Sequence, residues 1–408
     1  MTTALGGLVA AVALAAGCAS PINTPSASSG GTAFLTGDGR FAQPTASDDG
    51  SIVAFITTTT GLGYEDPNPA KADIVILDRS SGEATYVAPS SASEGVLGVD
   101  PQGRAVDSFS TPTTEMLSLS GDGRYLAFVT AEALVAEDTD IDFDAYEYDR
   151  SDGSIRFLTP HYGEHLISLE VAESTDGSVV TLVPRHYPPR FVVEQFDRST
   201  GLVTTQLELP IAGEFSGFDS SPNGRYVAIT TTSPLLPQDV DTTQDLYMLD
   251  THTGGLTFQV TPELHYYAGM WGPHALDDGG FVLNSGGPTG PNYEQFILVR
   301  NPGRPDRYRA FPAGNGDPVM GGGAYLTSGG FAVDADATGD RVTVGVVEFN
   351  IVWDPQLPVT SLAEWNTETD TLRQVASHVP SAGLVRVADS DSIIFPMMTA
   401  LYQWDPSI

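Results

Sequence analysis

The sequence repeats itself, and this repetition constrains the fold more than any other feature. A first phrase joins a polar turn to a short apolar strand, as in SGDGRYLAF (120–128). A second phrase is an alternating strand that ends in a polar turn, as in DIVILDRSSG (73–82). The first phrase occurs at 47–55, 120–128, 174–182, 221–229, 276–284, 337–345 and 388–396, and the second at 73–82, 144–153, 192–201, 245–254, 296–304, 362–370 and 401–408. Such a period predicts an array of similar structural units.

The chemistry of the phrases predicts strands. Asp-Gly and Asn-Gly supply the positive φ angles of tight hairpin turns, and the Val, Ile, Phe and Tyr runs beside them suit a pleated sheet. Further strand-like pieces flank the phrases, for example EMLSL (115–119) and SIRFLTP (154–160). Four strands in about 50 residues, repeated seven times, predict an all-β propeller with seven blades of four antiparallel strands. The interval 89–113 is an insertion or a degenerate unit, which leaves six or eight blades open.

The phrases resemble the TolB-type, WD-like (PD40) propeller repeat over residues 32–408. This resemblance implies a rigid platform that binds protein partners. The last unit stops after its third strand at Ile408, and the segment TAFLT (32–36) precedes the first unit without a partner. We therefore expect this N-terminal strand to complete the last blade and close the ring, which removes an exposed sheet edge.

The N-terminal residues predict export. Residues 1–17 contain an apolar run that is about the length of a signal peptide and too short to span a bilayer comfortably. Ala15-Ala16-Gly17 directly before Cys18 resembles a bacterial lipobox, which implies lipidation of Cys18. Residues 18–31 are rich in Ser, Pro, Gly and Ala and are expected to form a flexible tether. We expect a protein anchored by lipid to the cell envelope, with an ordinary secretory signal or a short buried segment as the alternatives.

The net charge of −34 narrows the possible partners. It arises from 52 acidic and 18 basic residues. A surface this negative repels phosphate backbones and anionic headgroups, so we expect no nucleic acid partner and no membrane contact beyond the lipid anchor. This charge suits a cationic partner, a divalent metal or a salty exterior, and simple solubility is the alternative explanation. The expected partner is an envelope protein or a glycan, and the expected state is a monomer.

The order of strands predicts which loops meet. In an antiparallel meander of strands A to D, the D–A connections and the B–C loops lie on one face of the propeller. Imidazole and aromatic side chains fall in the expected D–A connections: His161, Tyr162, His165, His265, Tyr266, Tyr267, Trp271, His274 and His378. Converging from several blades, they predict a ligand site or a metal site at the pore mouth. Separate surface loops without a defined ligand are the alternative.

The predicted B–C loops add carboxylates to the same face. Asp138, Asp140 and Asp142 alternate along the second unit, and Asp239 and Asp241 follow a similar spacing in the fourth. Alternate residues of an extended segment point the same way, so the first three carboxylates could share a calcium ion or a transition metal ion. The segment lacks the central Gly and final Glu of an EF-hand loop, and a solvated acidic loop is the alternative.

An aspartate also recurs at the start of the third strand, and we assign it a structural role in turn hydrogen bonding. These residues are Asp73, Asp144 and Asp245.

The sequence favours a binding function over catalysis. It contains no G-x-S-x-G elbow, P-loop, dinucleotide fingerprint or H-E-x-x-H motif. The leading hypothesis is a non-catalytic binding or scaffold propeller that uses its loop face. The alternative is a metal-dependent polysaccharide lyase or lactonase-like enzyme, in which the histidines named above would hold a divalent cation at the pore mouth.

Overall fold

The structure is a computed structural model. It describes residues 31–37, 41–57, 62, 73–88, 117–130, 133–139, 143–159, 166–186, 190–210, 215–259, 269–289, 292–311, 329–348, 359–379, 385–387, 392–397 and 400–405. The expected signal peptide, Cys18 and the interval 89–113 lie outside these ranges. Among the described residues, no helix is long and apolar enough to cross a bilayer.

The described chain folds into 28 strands. The strands of the first half are β1 (Gly31–Gly37), β2 (Phe41–Ala46), β3 (Ile52–Thr57), β4 (Asp73–Asp78), β5 (Glu83–Ala88), β6 (Leu117–Leu119), β7 (Tyr125–Thr130), β8 (Asp144–Asp149), β9 (Ser154–Phe157), β10 (Leu166–Glu173), β11 (Val179–His186), β12 (Arg190–Asp197), β13 (Leu202–Pro210) and β14 (Phe215–Ser220). Those of the second half are β15 (Tyr226–Thr231), β16 (Asp245–Asp250), β17 (Gly255–Phe258), β18 (Gly269–Ala275), β19 (Phe281–Thr289), β20 (Asn292–Arg300), β21 (Arg307–Phe311), β22 (Gly329–Ala335), β23 (Arg341–Glu348), β24 (Val359–Asn366), β25 (Thr371–Val379), β26 (Val385–Val387), β27 (Ser392–Met397) and β28 (Ala400–Asp405).

Six four-stranded antiparallel blades are continuous in sequence. Blade I is β2–β5, blade II β6–β9, blade III β10–β13, blade IV β14–β17, blade V β18–β21 and blade VI β22–β25. A further four-stranded sheet, the closing sheet, has the order β1-β28-β27-β26. The all-β propeller with four-stranded blades is confirmed. The predicted seven is corrected to six continuous blades, because the last repeat supplies three strands and borrows its fourth.

The N-terminal strand closes the last sheet as predicted. β1 pairs antiparallel with β28, with Thr32 opposite Trp404 and Phe34 opposite Tyr402. The outer edge of β28 is thereby covered, which removes a template for pairing with another chain. The closing sheet also contacts blade I through β2, so the two ends of the chain meet at one point of the ring.

The hydrophobic core lies between facing sheets. Phe128 of blade II packs in one cluster with Ile76 of blade I and Leu169 of blade III. Ile229 of blade IV packs with Val193 of blade III. The second and third strands of the blades are buried on both faces, whereas the outer strands β9 and β17 alternate between exposed and half-buried residues. Each large side chain buried in this way stabilises the fold by about 1.5–3 kcal/mol.

The A–B turns of blades I to IV share one local structure that the sequence encodes. In blade II, Ser120 Oγ donates a hydrogen bond to Asp122 Oδ1 at 2.7 Å, and Tyr125 N donates to Ser120 Oγ at 2.9 Å. Gly123 takes φ +68°, which L side chains rarely adopt. The Ser-x-Asp-Gly and Ser-x-Asn-Gly phrases therefore encode the turn itself.

These turns also join neighbouring blades through backbone hydrogen bonds. Asp48 N donates to Gly121 O at 2.7 Å, and Gly121 N donates to Thr175 O at 2.8 Å. Thr175 N in turn donates to Pro222 O at 2.6 Å. Each bond contributes about 0.5–1.5 kcal/mol. We call this side of the propeller the turn face, and the opposite side, which carries the B–C loops, the loop face.

Candidate functional site

The B–C loops of blades II and IV are anchored in the same way. Tyr146 on β8 donates a hydrogen bond from its hydroxyl to Asp138 Oδ2, and Tyr247 on β16 donates likewise to Asp239 Oδ2. Both tyrosines are fully buried, and in each blade the partners lie eight residues apart. The third strand of each blade thus holds its own B–C loop.

Each tyrosine hydroxyl also accepts a hydrogen bond from the start of its loop. Leu235 N donates to Tyr247 Oη at 3.2 Å, and Leu134 N donates to Tyr146 Oη at 3.5 Å. Burial, and then the hydrogen bond to Asp239, raise the pKa of Tyr247 above its ordinary value, so the phenol keeps its proton and donates it in the hydrogen bond to the Asp239 carboxylate. The same causes raise the pKa of Tyr146.

Three carboxylates converge in the anchored loop of blade IV. Asp239, Asp241 and Asp245 each present an oxygen, and these oxygens lie within 4.8 Å of one another. Asp239 and Asp245 are buried, whereas Asp241 is half-buried. At about 4 Å, two carboxylates repel each other by ~1 kcal/mol in bulk water and by ~4 kcal/mol at an effective dielectric constant of 20. A bound cation would offset this repulsion.

The hydrogen bonds within the loop orient these carboxylates. Asp241 N donates to Asp239 Oδ1 at 3.2 Å. Thr243 donates to Asp241 Oδ1 from both its backbone N, at 2.8 Å, and its Oγ1, at 2.6 Å. The donor set consists of oxygen atoms, which favours hard cations such as Ca²⁺ or Mg²⁺ over the transition metals that prefer imidazole or thiolate.

The predicted metal trio of blade II is only partly described. Asp138 is buried and anchored by Tyr146, whereas Asp140 and Asp142 lie outside the described residues. The corresponding residues of blade IV, 239–245, are all described. Thr243 occupies the position that corresponds to Asp142, and the third carboxylate of the cluster comes from the strand residue Asp245.

From the sequence, the aspartate that recurs at the start of the third strand was expected to have only a structural role. This holds in two blades, where the aspartate accepts a hydrogen bond from the outer strand or the residues after it: Tyr86 Oη donates to Asp73 Oδ2 at 2.8 Å, and Thr159 Oγ1 donates to Asp144 Oδ1 at 2.6 Å. Asp245 was therefore missed as a member of a carboxylate cluster. The spacing Asp-x-Asp-x-x-x-Asp, common to both loops, is the pattern that could have revealed it.

Six of the predicted ligand-binding residues lie outside the described residues: His161, Tyr162, His165, His265, Tyr266 and Tyr267. For the other three the expected loop position is wrong. Trp271 and His274 belong to the inner strand β18, and His378 belongs to the outer strand β25.

Trp271 and His274 were expected in a loop because their local sequence does not favour a strand. The segment GMWGPHA (269–275) contains glycine and proline, which disfavour strands. It is nevertheless held along β19, with Met270 opposite Ser285 and His274 opposite Val282. The register shifts between Trp271 and His274, and this irregularity accommodates Gly272 at φ +56°.

His274 serves the seam between blades IV and V. Its Nδ1 lies 3.7 Å from Asp219 Oδ2, and the same oxygen accepts a hydrogen bond from Ala275 N at 2.9 Å. The residue stands at the end of β18 that leads into the A–B turn, which places it toward the turn face. It is therefore not part of the loop face.

Solved structures show the same fold at low sequence identity. An oligogalacturonate lyase from Vibrio parahaemolyticus matches with a TM-score of 0.58 and 12% identity, over 92% of this chain and 93% of that one. An oligogalacturonate lyase in complex with manganese matches with a TM-score of 0.56 and 14% identity, over 92% and 97%. The β-propeller domain of the Trilobed protease from Pyrococcus furiosus matches with a TM-score of 0.53 and 13% identity, over 90% and 95%.

These three matches confirm the predicted propeller fold. Weaker matches include the WD40 repeats of RRP9, with a TM-score of 0.49, and a putative TolB from Agrobacterium tumefaciens, with a TM-score of 0.39. No family model and no curated protein matches the sequence.

Proposed function

We propose that the protein is a non-catalytic binding propeller of the bacterial cell envelope, which takes a protein or glycan partner on its loop face. The observation that carries this proposal is the anchored B–C loop of blade IV. In this loop Leu235 N donates a hydrogen bond to the buried Tyr247 hydroxyl, and Asp239 accepts one from it. Val240, between Asp239 and Asp241, is nevertheless 86% exposed. In this proposal the closing sheet serves as a seventh blade that completes a rigid ring.

A loop that is already ordered favours binding. The Tyr247–Asp239 hydrogen bond fixes the loop before any partner arrives, so little conformational entropy remains to be lost on association. Val240 offers apolar area at the centre of a polar surround, which is the usual composition of a contact surface.

The charge of the protein favours a cationic partner surface. The net charge of −34 attracts basic segments over a distance of about 8–10 Å at physiological salt. Such attraction raises the association rate more than the final affinity. A partner protein with a basic contact surface, or a glycan bound through a shared cation, fits these conditions.

The proposed location rests on the sequence before the propeller. Residues 1–17 would direct export, Cys18 would carry the lipid, and residues 18–31 would tether the propeller. Wild-type protein should incorporate labelled palmitate, whereas Cys18→Ser should not. Absence of label from the wild-type protein would contradict the lipid anchor.

Site-specific photo-crosslinking in envelope preparations tests the loop face. A crosslinking amino acid at Val240 should yield a discrete adduct with the partner. The matched control is Leu202, which is 61% exposed but follows the C–D turn of blade III on the turn face. Val240→Lys, which replaces an apolar contact with a charge of the same sign as the proposed basic partner, should weaken capture of the isolated partner by tenfold or more, or about 1.4 kcal/mol. Equal adducts from both positions would refute the assignment of the loop face.

Cation binding is the second candidate function, and the carboxylate cluster of blade IV favours it. Asp241→Asn should reduce calcium affinity by at least about tenfold in titration calorimetry. Asp152→Asn is the matched control, because Asp152 is exposed on the C–D turn of blade II. If wild-type protein takes up no calcium, or both variants bind it equally, the cluster is not the site.

The fold shared with two oligogalacturonate lyases, one of them in complex with manganese, supplies a direct test of the alternative function. Oligogalacturonate incubated with the protein and manganese should show no increase in the ultraviolet absorbance of an unsaturated product. Turnover that requires manganese would replace the binding proposal with the lyase alternative.

A further inference from the structure

A buried arginine joins blades II and III on the turn face. Arg198, in the turn between β12 and β13, donates from Nε to Glu147 Oε2 at 3.1 Å, and its Nη2 also donates to this oxygen. The same Nη2 donates to Glu173 Oε1 at 2.9 Å. Glu147 lies on β8 of blade II, whereas Glu173 ends β10 of blade III. The side chains of Arg198, Glu147 and Glu173 are 12%, 3% and 0% exposed.

The two glutamates do not share the arginine equally. Glu147 receives two donors from Arg198 and lies 3.4 Å from the half-exposed Arg156. Glu173 receives one donor, and among the described residues its Oε2 has no hydrogen-bond partner, nor does Arg198 Nη1. A buried carboxylate with a bare oxygen is unfavourable in its charged form. Glu173 is therefore the member of the cluster that retains a proton most readily.

We propose that the Glu147–Arg198–Glu173 cluster is a pH-responsive clasp, which holds blades II and III together while Glu173 carries a proton and loosens when that proton leaves. Protonated, Glu173 leaves one guanidinium to balance one carboxylate. Deprotonated, it places a second negative charge beside Glu147, with Arg198 as the largely buried cation that both carboxylates share. The ring of Tyr125, whose centroid lies 3.8 Å from the guanidinium carbon, fixes the arginine in either state.

The surrounding charges set the direction of the effect. Burial raises the pKa of Glu173 to about 8, Arg198 opposes this shift, and Glu147 and Asp122 add to it. Beyond these groups, Arg156 contacts Glu147, and Asp176 interacts with Arg198. Between the ordinary glutamate pKa and about 8, the folded protein holds a proton that the unfolded chain releases. The stability that this proton provides is complete below the ordinary value and is lost as pH rises through about 8.

The clasp lies beside the inner strands, which makes its opening measurable. Glu173 N donates to Ser118 Oγ of blade II at 2.8 Å, next to the seam. Amide exchange in β6 and β10 therefore reports on local separation of the two blades.

Infrared spectroscopy and hydrogen exchange from about pH 6 to about pH 9 test the clasp. Wild-type protein should show a protonated carboxyl band that disappears near pH 8 and is missing from Glu173→Gln. Exchange in β6 and β10, corrected for the intrinsic rate, should rise from about pH 6 to about pH 8 and level off above it in wild type, and it should stay constant in Glu173→Gln. Glu208→Gln is the matched control, because Glu208 is 54% exposed, and it should behave like wild type.

A second variant keeps the test decisive if Glu173→Gln does not fold. Glu147→Gln removes the competing carboxylate and frees Arg198 for Glu173, so the infrared midpoint and the pH at which exchange levels off should both move to lower pH. The proposal is overturned if the protonated band is absent at neutral pH, or if the midpoint in Glu147→Gln equals that of wild type.

Discussion

Replacing Tyr247 by phenylalanine tests whether the Tyr247 hydroxyl anchors the B–C loop of blade IV. The variant keeps the buried ring, which stacks on Phe258 at 5.2 Å, and removes only the hydroxyl. Asp239 then loses a donor to its buried carboxylate, and Leu235 N loses its acceptor. A hydrogen bond to a charged group contributes about 1.5–3 kcal/mol, so the variant should lose about 2–3 kcal/mol in free energy of unfolding.

The expected thermal shift follows from the size of the domain. At about 2.1 cal/mol/K of unfolding entropy per residue, a propeller of roughly 375 residues loses about 1 °C for each 0.8 kcal/mol, so Tm should fall by about 3 °C. Differential scanning calorimetry measures the shift, and hydrogen exchange across 233–245 should show faster opening of the loop. Tyr308→Phe is the matched control, because Tyr308 is 43% exposed, and it should change stability by less than about 0.5 kcal/mol. Loss of the same size in both variants, or no loss in Tyr247→Phe, would refute the anchoring role.

Three further predictions concern the ring itself. Gly224→Ala should lower Tm by about 1–4 °C more than Gly201→Ala, because overpacking costs about 1–3 kcal/mol. Both glycines have φ near +70°, but only at Gly224 would an added Cβ meet Val179 Cγ2, at 2.5 Å. Equal Tm values would contradict the packing argument. Deleting residues 31–37 should expose the edge of β28, which should lower Tm and promote self-association. Size-exclusion chromatography detects the association, and an unchanged monomer would show that β1 does not close the ring. Ser118→Ala should cost about 1 kcal/mol in denaturant unfolding through the lost inter-blade hydrogen bond, whereas a neutral effect would assign the seam to apolar packing alone.

The turn phrases are the part of the fold that sequence reasoning predicted best. The side chain of Ser120 and the positive φ of Gly123 act within a few residues of one another, so the local sequence is sufficient to define the turn. Pairing of β1 with β28 was also predictable, because a three-stranded last unit and an unpartnered first strand complement each other.

The candidate site was less predictable because its members act across longer distances. Local spacing drew attention to Asp138 and Asp239, but their buried partners Tyr146 and Tyr247 look like ordinary strand residues in the sequence. The role of Asp245 depends on how the loop folds back toward its strand, which the alternation of acids does not reveal.

The sequence by itself determined the repeating unit, its turns and the acidic surface, because each follows from neighbouring residues or from composition. Only the tertiary structure determined the positions and the contact partners of individual side chains. Pairing with β19 drew the Trp271–His274 segment into an inner strand against its weak local propensity. The meeting of Glu147 and Glu173 at Arg198 required two blades to pack face to face, and contacts of this kind depend on the whole ring rather than on any one repeat.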